Sequence, residues 1–265
     1  MSSFDLPDGQ KLTYREEGQG MPLVLVHGSP GDSRSWGRVV PHLKDRFRVL
    51  AVDLPGYGGS DRVPDAPVGR AAAMGAAVAR LVEQCGRPVR LAGHSYGGVV
   101  AIQSALQARP GTIDELVLFE PVFFRALQLN EDRAALDPAA AHFEDYARRA
   151  IAGEPGVVRL MIDYWFGEGA FARMPEPVRG YLEANAPRNA LDVRSSFNDT
   201  ATAEQLRAFD RPVRVAYGDR SPPIVQAIGR GLLELVPNAR LESLAGANHG
   251  MLDSHPEAAA HLIAS

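Results

Sequence analysis

Five short apolar runs punctuate the chain: Leu23–Val26, Val49–Val52, Val89–Ala92, Leu116–Phe119 and Val213–Tyr217. Runs this short, with almost no polar alternation, suit strands buried on both faces of a parallel sheet. Lys11–Glu17 alternates instead, as an edge strand does, and is expected to pair antiparallel. Ala239–Leu244 reads as a last strand. Helical patterns fill the gaps: Gly69–Cys85 is rich in alanine, Gly97–Ala108 follows the third run, and Pro223–Val236 follows the fifth. Strands alternating with helices imply βαβ units with right-handed crossovers, and so an α/β fold.

The rhythm breaks between residues 122 and 207. No strand pattern occurs there, only helical ones such as Ala139–Gly153 and Val157–Phe166, punctuated by Pro155, Gly167, Pro175, Pro177 and Pro187. The stretch reads as a helical cap, 122–207, inserted into a core domain made of 1–121 and 208–265. It holds ten of the nineteen aromatic residues. Most are expected to form the cap's own core, and a minority to line an apolar pocket above the sheet.

Composition narrows the partners. A net charge of −4, with basic residues spread along the chain, argues against nucleic acid and against an anionic membrane surface. Only Lys11 and Lys44 among the 28 basic residues are lysines, a bias that GC-rich bacterial codon usage produces. Cys85 is the single cysteine, so neither an intramolecular disulfide nor a thiolate metal site is expected. Met1–Asp5 has no basic or long apolar segment, and no apolar stretch reaches the ~20 residues that span a bilayer. The expectation is a cytoplasmic protein, monomer or homodimer, acting on a small-molecule substrate.

The sharpest local signal is Gly93-His94-Ser95-Tyr96-Gly97, a G-x-S-x-G pattern set between a strand and a helix. A nucleophile on so tight a turn needs small residues two before and two after it, and the turn lifts the serine oxygen toward the helix N-terminus. A hydroxyl also needs a base and donors for the oxyanion. His249, in Gly246-Ala247-Asn248-His249-Gly250, sits on a loop after the last strand among small residues. His27, His42, His94, His142, His255 and His261 lack that setting. The oxyanion donors are expected to be the N–H groups of Tyr96, after the nucleophile, and Ser29, in His27-Gly28-Ser29-Pro30; Pro30 has no N–H to offer.

These segments, with Asp53-Leu54-Pro55-Gly56-Tyr57-Gly58-Gly59-Ser60, resemble the α/β-hydrolase superfamily over nearly the whole chain. The resemblance implies an eight-stranded, mostly parallel sheet and an acid–serine–histidine triad, with no metal and no organic cofactor. It does not imply a substrate. Many relatives place the acid after the seventh strand as G-x-x-D, but the matching stretch here, Gly218-Asp219-Arg220-Ser221, carries serine at that position. Glu120, directly after Leu116–Phe119, is the leading candidate, because a carboxylate there is expensive to bury without a partner such as an imidazolium. Asp219 is the alternative acid, and an ion pair with Arg125 is the structural alternative for Glu120. The serine nucleophile excludes the aspartate-dependent dehalogenases and epoxide hydrolases of this fold. A carboxylesterase, EC 3.1.1.-, acting on apolar esters or lactones is the leading expectation. Hydrolysis of a carbon–carbon bond, amide or thioester, cofactor-free perhydrolysis, and a non-catalytic binding protein remain as alternatives.

Overall fold

The computed structural model describes residues 1–62 and 68–265. The N-terminal part contains β1 (Ser2–Asp5), β2 (Lys11–Glu17), β3 (Met21–Val26), β4 (Phe47–Val52), α1 (Arg70–Gln84) and β5 (Val89–His94). There follow α2 (Tyr96–Gln107), β6 (Ile113–Phe119) and six consecutive helices: α3 (Arg125–Leu129), α4 (Arg133–Ile151), α5 (Val158–Phe166), α6 (Ala170–Arg173), α7 (Glu176–Phe197) and α8 (Ala203–Ala208). The chain ends with β7 (Val213–Gly218), α9 (Pro223–Leu235), β8 (Ala239–Leu244), α10 (Met251–Ser254) and α11 (Pro256–Ala264).

The eight strands form one sheet in the order β1-β2-β4-β3-β5-β6-β7-β8. β1 and β2 pair antiparallel, as does β2 with β4, and every other pairing is parallel. The apolar runs explain the middle of the sheet. Leu23, Leu25, Val49 and Val117 face one layer of helices, while Val24, Val26, Leu50 and Leu118 face the other, and all are buried. Alternate residues thus fill two cores, one on each side, because side chains along a strand point to opposite faces.

Two elements depart from the sequence pattern. β1 was not expected; its four residues alternate between half-buried and exposed and add an outer edge to β2. Prolines also fail to break the inserted helices. Pro138 lies inside α4 and Pro187 inside α7, which runs for 22 residues. A mid-helix proline removes one backbone hydrogen bond. α7 keeps Leu182, Ala186, Asn189, Ala190 and Asp192 buried, and tertiary packing of that face offsets the loss. Among the described residues, no helix is long and apolar enough to cross a membrane.

Candidate active site

The site forms where the central strands end. β5 delivers the Ser95 turn, in which Ser95 has φ 55° and ψ −125° and lies just before the first residue of α2. That left-handed backbone is held by packing that leaves no room for larger neighbours. A Cβ on Gly93 would meet the Gly97 carbonyl oxygen at 2.4 Å, and one on Gly97 would meet the His27 carbonyl oxygen at 2.3 Å. The G-x-S-x-G spacing is therefore the contact requirement of a helix start seated on the ends of β5 and β3.

β6, the next strand, ends in a second strained residue. Glu120 has φ 43°, uncommon for a side chain with a Cβ, and its N–H continues the ladder to the Ala216 carbonyl at 2.8 Å. The turn aims the carboxylate inward, where it is 0% exposed. Glu120 Oε2 accepts from His249 Nδ1 at 2.6 Å, and His249 Nε2 lies 3.0 Å from Ser95 Oγ. Glu120 Oε1 accepts from the Gly218 N–H at 2.7 Å and the Ser221 hydroxyl at 2.5 Å. Burial pushes the Glu120 carboxyl up, but donors from His249, Ser221 and Gly218 outweigh it and hold the group below the usual carboxylate range. An imidazole bridging a carboxylate and a hydroxyl in this way can take the hydroxyl proton and keep its own Nδ1–H directed at the acid.

The structure thus brings Ser95, His249 and Glu120 together. Asp219 is not part of that group: it is exposed, and its Oδ1 accepts from the Gly246 N–H at 2.8 Å. Arg125 does not pair with Glu120 either, because its guanidinium donates to the Ala201 carbonyl and to Gln128. Ser221, at the aspartate position of the G-x-x-D pattern, instead supports the carboxylate reaching in from the neighbouring strand.

His249 rides on the loop after β8, which is held from two sides. His94 Nε2 donates to the His249 carbonyl at 2.9 Å, and the Arg220 N–H donates to Ala247 at 3.0 Å. Burial and the adjacent His249 ring lower the His94 pKa to about 3, so His94 acts as a neutral brace. His27 is committed in the same way. Its Nδ1–H donates to the Gly28 carbonyl at 2.8 Å, its Nε2 accepts from the Leu54 N–H at 2.9 Å, and burial keeps its pKa low. Both rings serve the backbone.

The two expected oxyanion donors flank the serine. Tyr96 opens α2, so its N–H has no carbonyl one turn back to bond. Among the described residues no protein acceptor takes the Ser29 N–H. The loop that carries it lies against the nucleophile: a Cβ on Gly28 would come within 3.0 Å of Ser95 Cβ.

A cavity of about 280 Å³ opens over these groups. Its floor is the Ser29 loop, Ser95, Tyr96 and His249; most of its apolar wall comes from the inserted segment, including Phe124, Phe143, Met161, Trp165, Phe166 and Leu182, and Asn189 and Asp192 of α7 line it too. Four of the ten aromatics of the insertion therefore line the cavity. Trp165 does more than line it. Its ring stacks on His249 with centroids 4.6 Å apart and planes 19° apart, and Phe166 meets the same imidazole edge-on at 5.7 Å. The sequence reading missed this contact, and it missed a buried polar group formed by Asp192, Arg70, Tyr57 and Asn189, of which Asn189 and Asp192 reach the cavity wall. The second had a visible signal. Asn189, Asp192, Ser195 and Ser196 recur at helical spacing along α7, C-terminal to the apolar Leu182 and Ala186. No group of three His, Cys, Asp or Glu side chains among the described residues is arranged to hold a metal ion.

Comparison with known proteins gives a consistent picture. The sequence model of the family described as "Alpha/beta hydrolase family" matches residues 23–262. A non-heme chloroperoxidase of Streptomyces lividans is 28% identical, with 97% of this chain and 96% of that protein aligned. A pimeloyl-acyl-carrier-protein methyl ester esterase of Methylococcus capsulatus is 30% identical, with 95% of this chain and 96% of that protein aligned. Among solved structures, a thermophilic esterase from Thermogutta terrifontis superposes with a TM-score of 0.73 at 26% identity, covering 99% of this chain and 96% of that one.

Proposed function

Because the chain belongs to the alpha/beta hydrolase family, and is a hydrolase by that membership, we propose that it cleaves carboxylic esters or lactones of small to medium apolar substrates through an acyl-enzyme on Ser95. The observation that carries this reading is the buried relay Glu120–His249–Ser95, with contacts of 2.6 and 3.0 Å, facing a cavity walled by apolar side chains.

His249 takes the Ser95 proton as Oγ attacks the substrate carbonyl. The N–H groups of Tyr96 and Ser29 receive the charge that gathers on the carbonyl oxygen. His249 returns the proton to the leaving alcohol, which departs and leaves the acyl group on Ser95. A water molecule, deprotonated by the same imidazole, attacks the ester so formed; the acid is released and the hydroxyl of Ser95 regenerated. Glu120 keeps the ring in the tautomer with Nδ1–H and stabilises the imidazolium. Asp219 has no part in these steps.

A p-nitrophenyl ester series from acetate to decanoate tests the proposal. The expected result is saturable hydrolysis that favours the shorter chains and disappears in Ser95→Ala. Turnover that survives Ser95→Ala would overturn it.

The likeness to the Streptomyces lividans chloroperoxidase favours a second reading. An acyl-enzyme attacked by hydrogen peroxide in place of water releases a peracid, with the same proton moves and no cofactor. Halogenation of monochlorodimedone in acetate, peroxide and bromide, dependent on Ser95, is its test.

A further inference from the structure

The buried polar group at the cavity wall links five segments that are far apart in sequence. Asp192, on α7, has a side chain only 1% exposed and pairs with the equally buried Arg70 of α1, Oδ1 to Nε, at 2.6 Å. Its other oxygen accepts from the Ser29 hydroxyl at 2.6 Å and from the Tyr57 hydroxyl. Asn189, one turn earlier on α7, donates from Nδ2 to Ser29 Oγ at 3.0 Å and accepts from the Tyr146 hydroxyl at 2.7 Å. The mechanism above uses the Ser29 backbone but none of these side chains.

Proton accounting limits what the group can do. A serine hydroxyl has one proton: that of Ser29 goes to Asp192, or to the Tyr57 hydroxyl 2.9 Å away that itself donates to Asp192, while Asn189 fills a lone pair. Ser29 Oγ is therefore not a donor for substrate. It is a tether, and it holds the residue whose N–H is offered to the oxyanion. A buried ion pair such as Asp192–Arg70 adds little net stability, since desolvation offsets most of the attraction; what it supplies is fixed geometry.

We propose that Asp192 is a positioning residue: from the inserted helix α7 it holds the Ser29 loop by its hydroxyl and so sets the oxyanion donor against Ser95. The inserted helices are then part of the catalytic apparatus as well as its cover. The inference rests on the esterase reading. Oxyanion donors act only when aimed at the place where charge develops, so loosening the tether lowers kcat and leaves substrate affinity in place.

Ser29→Ala is the cleanest probe, because it keeps the backbone N–H and removes the tether without stranding a buried charge. The expected result, for p-nitrophenyl acetate hydrolysis, is about a tenfold loss in kcat with KM within about twofold, and weaker inhibition by phenylboronic acid by a similar factor, since its tetrahedral adduct needs the same donor. Asp192→Asn is expected to lose at least as much, and the double variant no more than Asp192→Asn alone, because both cut one linkage. Unchanged kcat and boronate affinity in a folded Ser29→Ala would overturn the proposal while leaving the esterase reading intact. Multiplying losses in the double variant would overturn it equally. Inactive wild-type protein, showing neither hydrolysis nor boronate binding, would bring down both.

Discussion

The two sides of the cavity are built by different means. On the sheet side every functional group is placed by backbone. Ser95 and Glu120 end adjacent strands in left-handed conformations, His249 hangs on a loop gripped by His94 and Arg220, and glycines at 93 and 97 allow the close approach. On the helical side nothing is placed by a turn. Trp165 reaches His249, and Asp192 reaches Ser29, only because α5 and α7 pack where they do. The sheet side is a rigid frame for the chemistry, and the helical side adjusts that frame through side chains.

The sharpest test of this contrast lies on the sheet side. Glu120→Gln keeps the shape, but its amide oxygen stays with the Gly218 and Ser221 donors and its NH2 faces Nδ1, which favours the wrong His249 tautomer and leaves no charge to stabilise the imidazolium. It is expected to lower kcat for a p-nitrophenyl ester by about 10³-fold or more. A loss under tenfold would mean that the strand-end carboxylate is not the triad acid.

A smaller effect belongs to the two neutral rings that brace the backbone. The folded ring of His94 stays neutral down to about pH 3, and burial likewise holds His27 low, whereas in the unfolded chain both take up protons below about pH 6.5. The unfolded state binds more protons in that window, so the stability present above pH 6.5 is lost as pH falls. Each ring contributes a slope of up to about 1.4 kcal/mol per pH unit. Urea unfolding from pH 7.5 to 4.5 is expected to show this fall, and His94→Gln to make it shallower. An unchanged slope in the variant would show that His94 is not held neutral.

On the helical side, Trp165→Leu removes the stacked ring but keeps the cavity apolar. About a tenfold loss in kcat/KM is expected, well short of the loss for Glu120→Gln. Equal losses would erase the distinction between frame and adjustment. The smallest change is expected for Asp219→Asn, within about twofold in kcat, because its carboxylate only receives the Gly246 N–H at the surface.

The same contrast explains what was legible in the sequence. Strand runs, the G-x-S-x-G turn and the late histidine loop are local signals, and each element they predict is present. Glu120 could be singled out because a charge at the end of an apolar run must find a partner. β1 was invisible because four half-exposed residues carry too little pattern, and its pairing comes from β2. At Pro187 local propensity predicts a break, and the helix α7 runs through it because tertiary packing maintains what local propensity opposes. The Arg70–Asp192 pair spans 122 positions and the Trp165–His249 stack joins an inserted helix to the last loop. Neither has a local signature; both follow from how the helices settle on the sheet.

The central claim is that Ser95 is an activated nucleophile, and labelling with a fluorophosphonate followed by peptide mapping tests it most directly. The account predicts a single adduct on Ser95 in the folded protein, slowed by orders of magnitude in Glu120→Gln and absent in Ser95→Ala. A folded protein that takes up no label, or carries it on another residue, would contradict it.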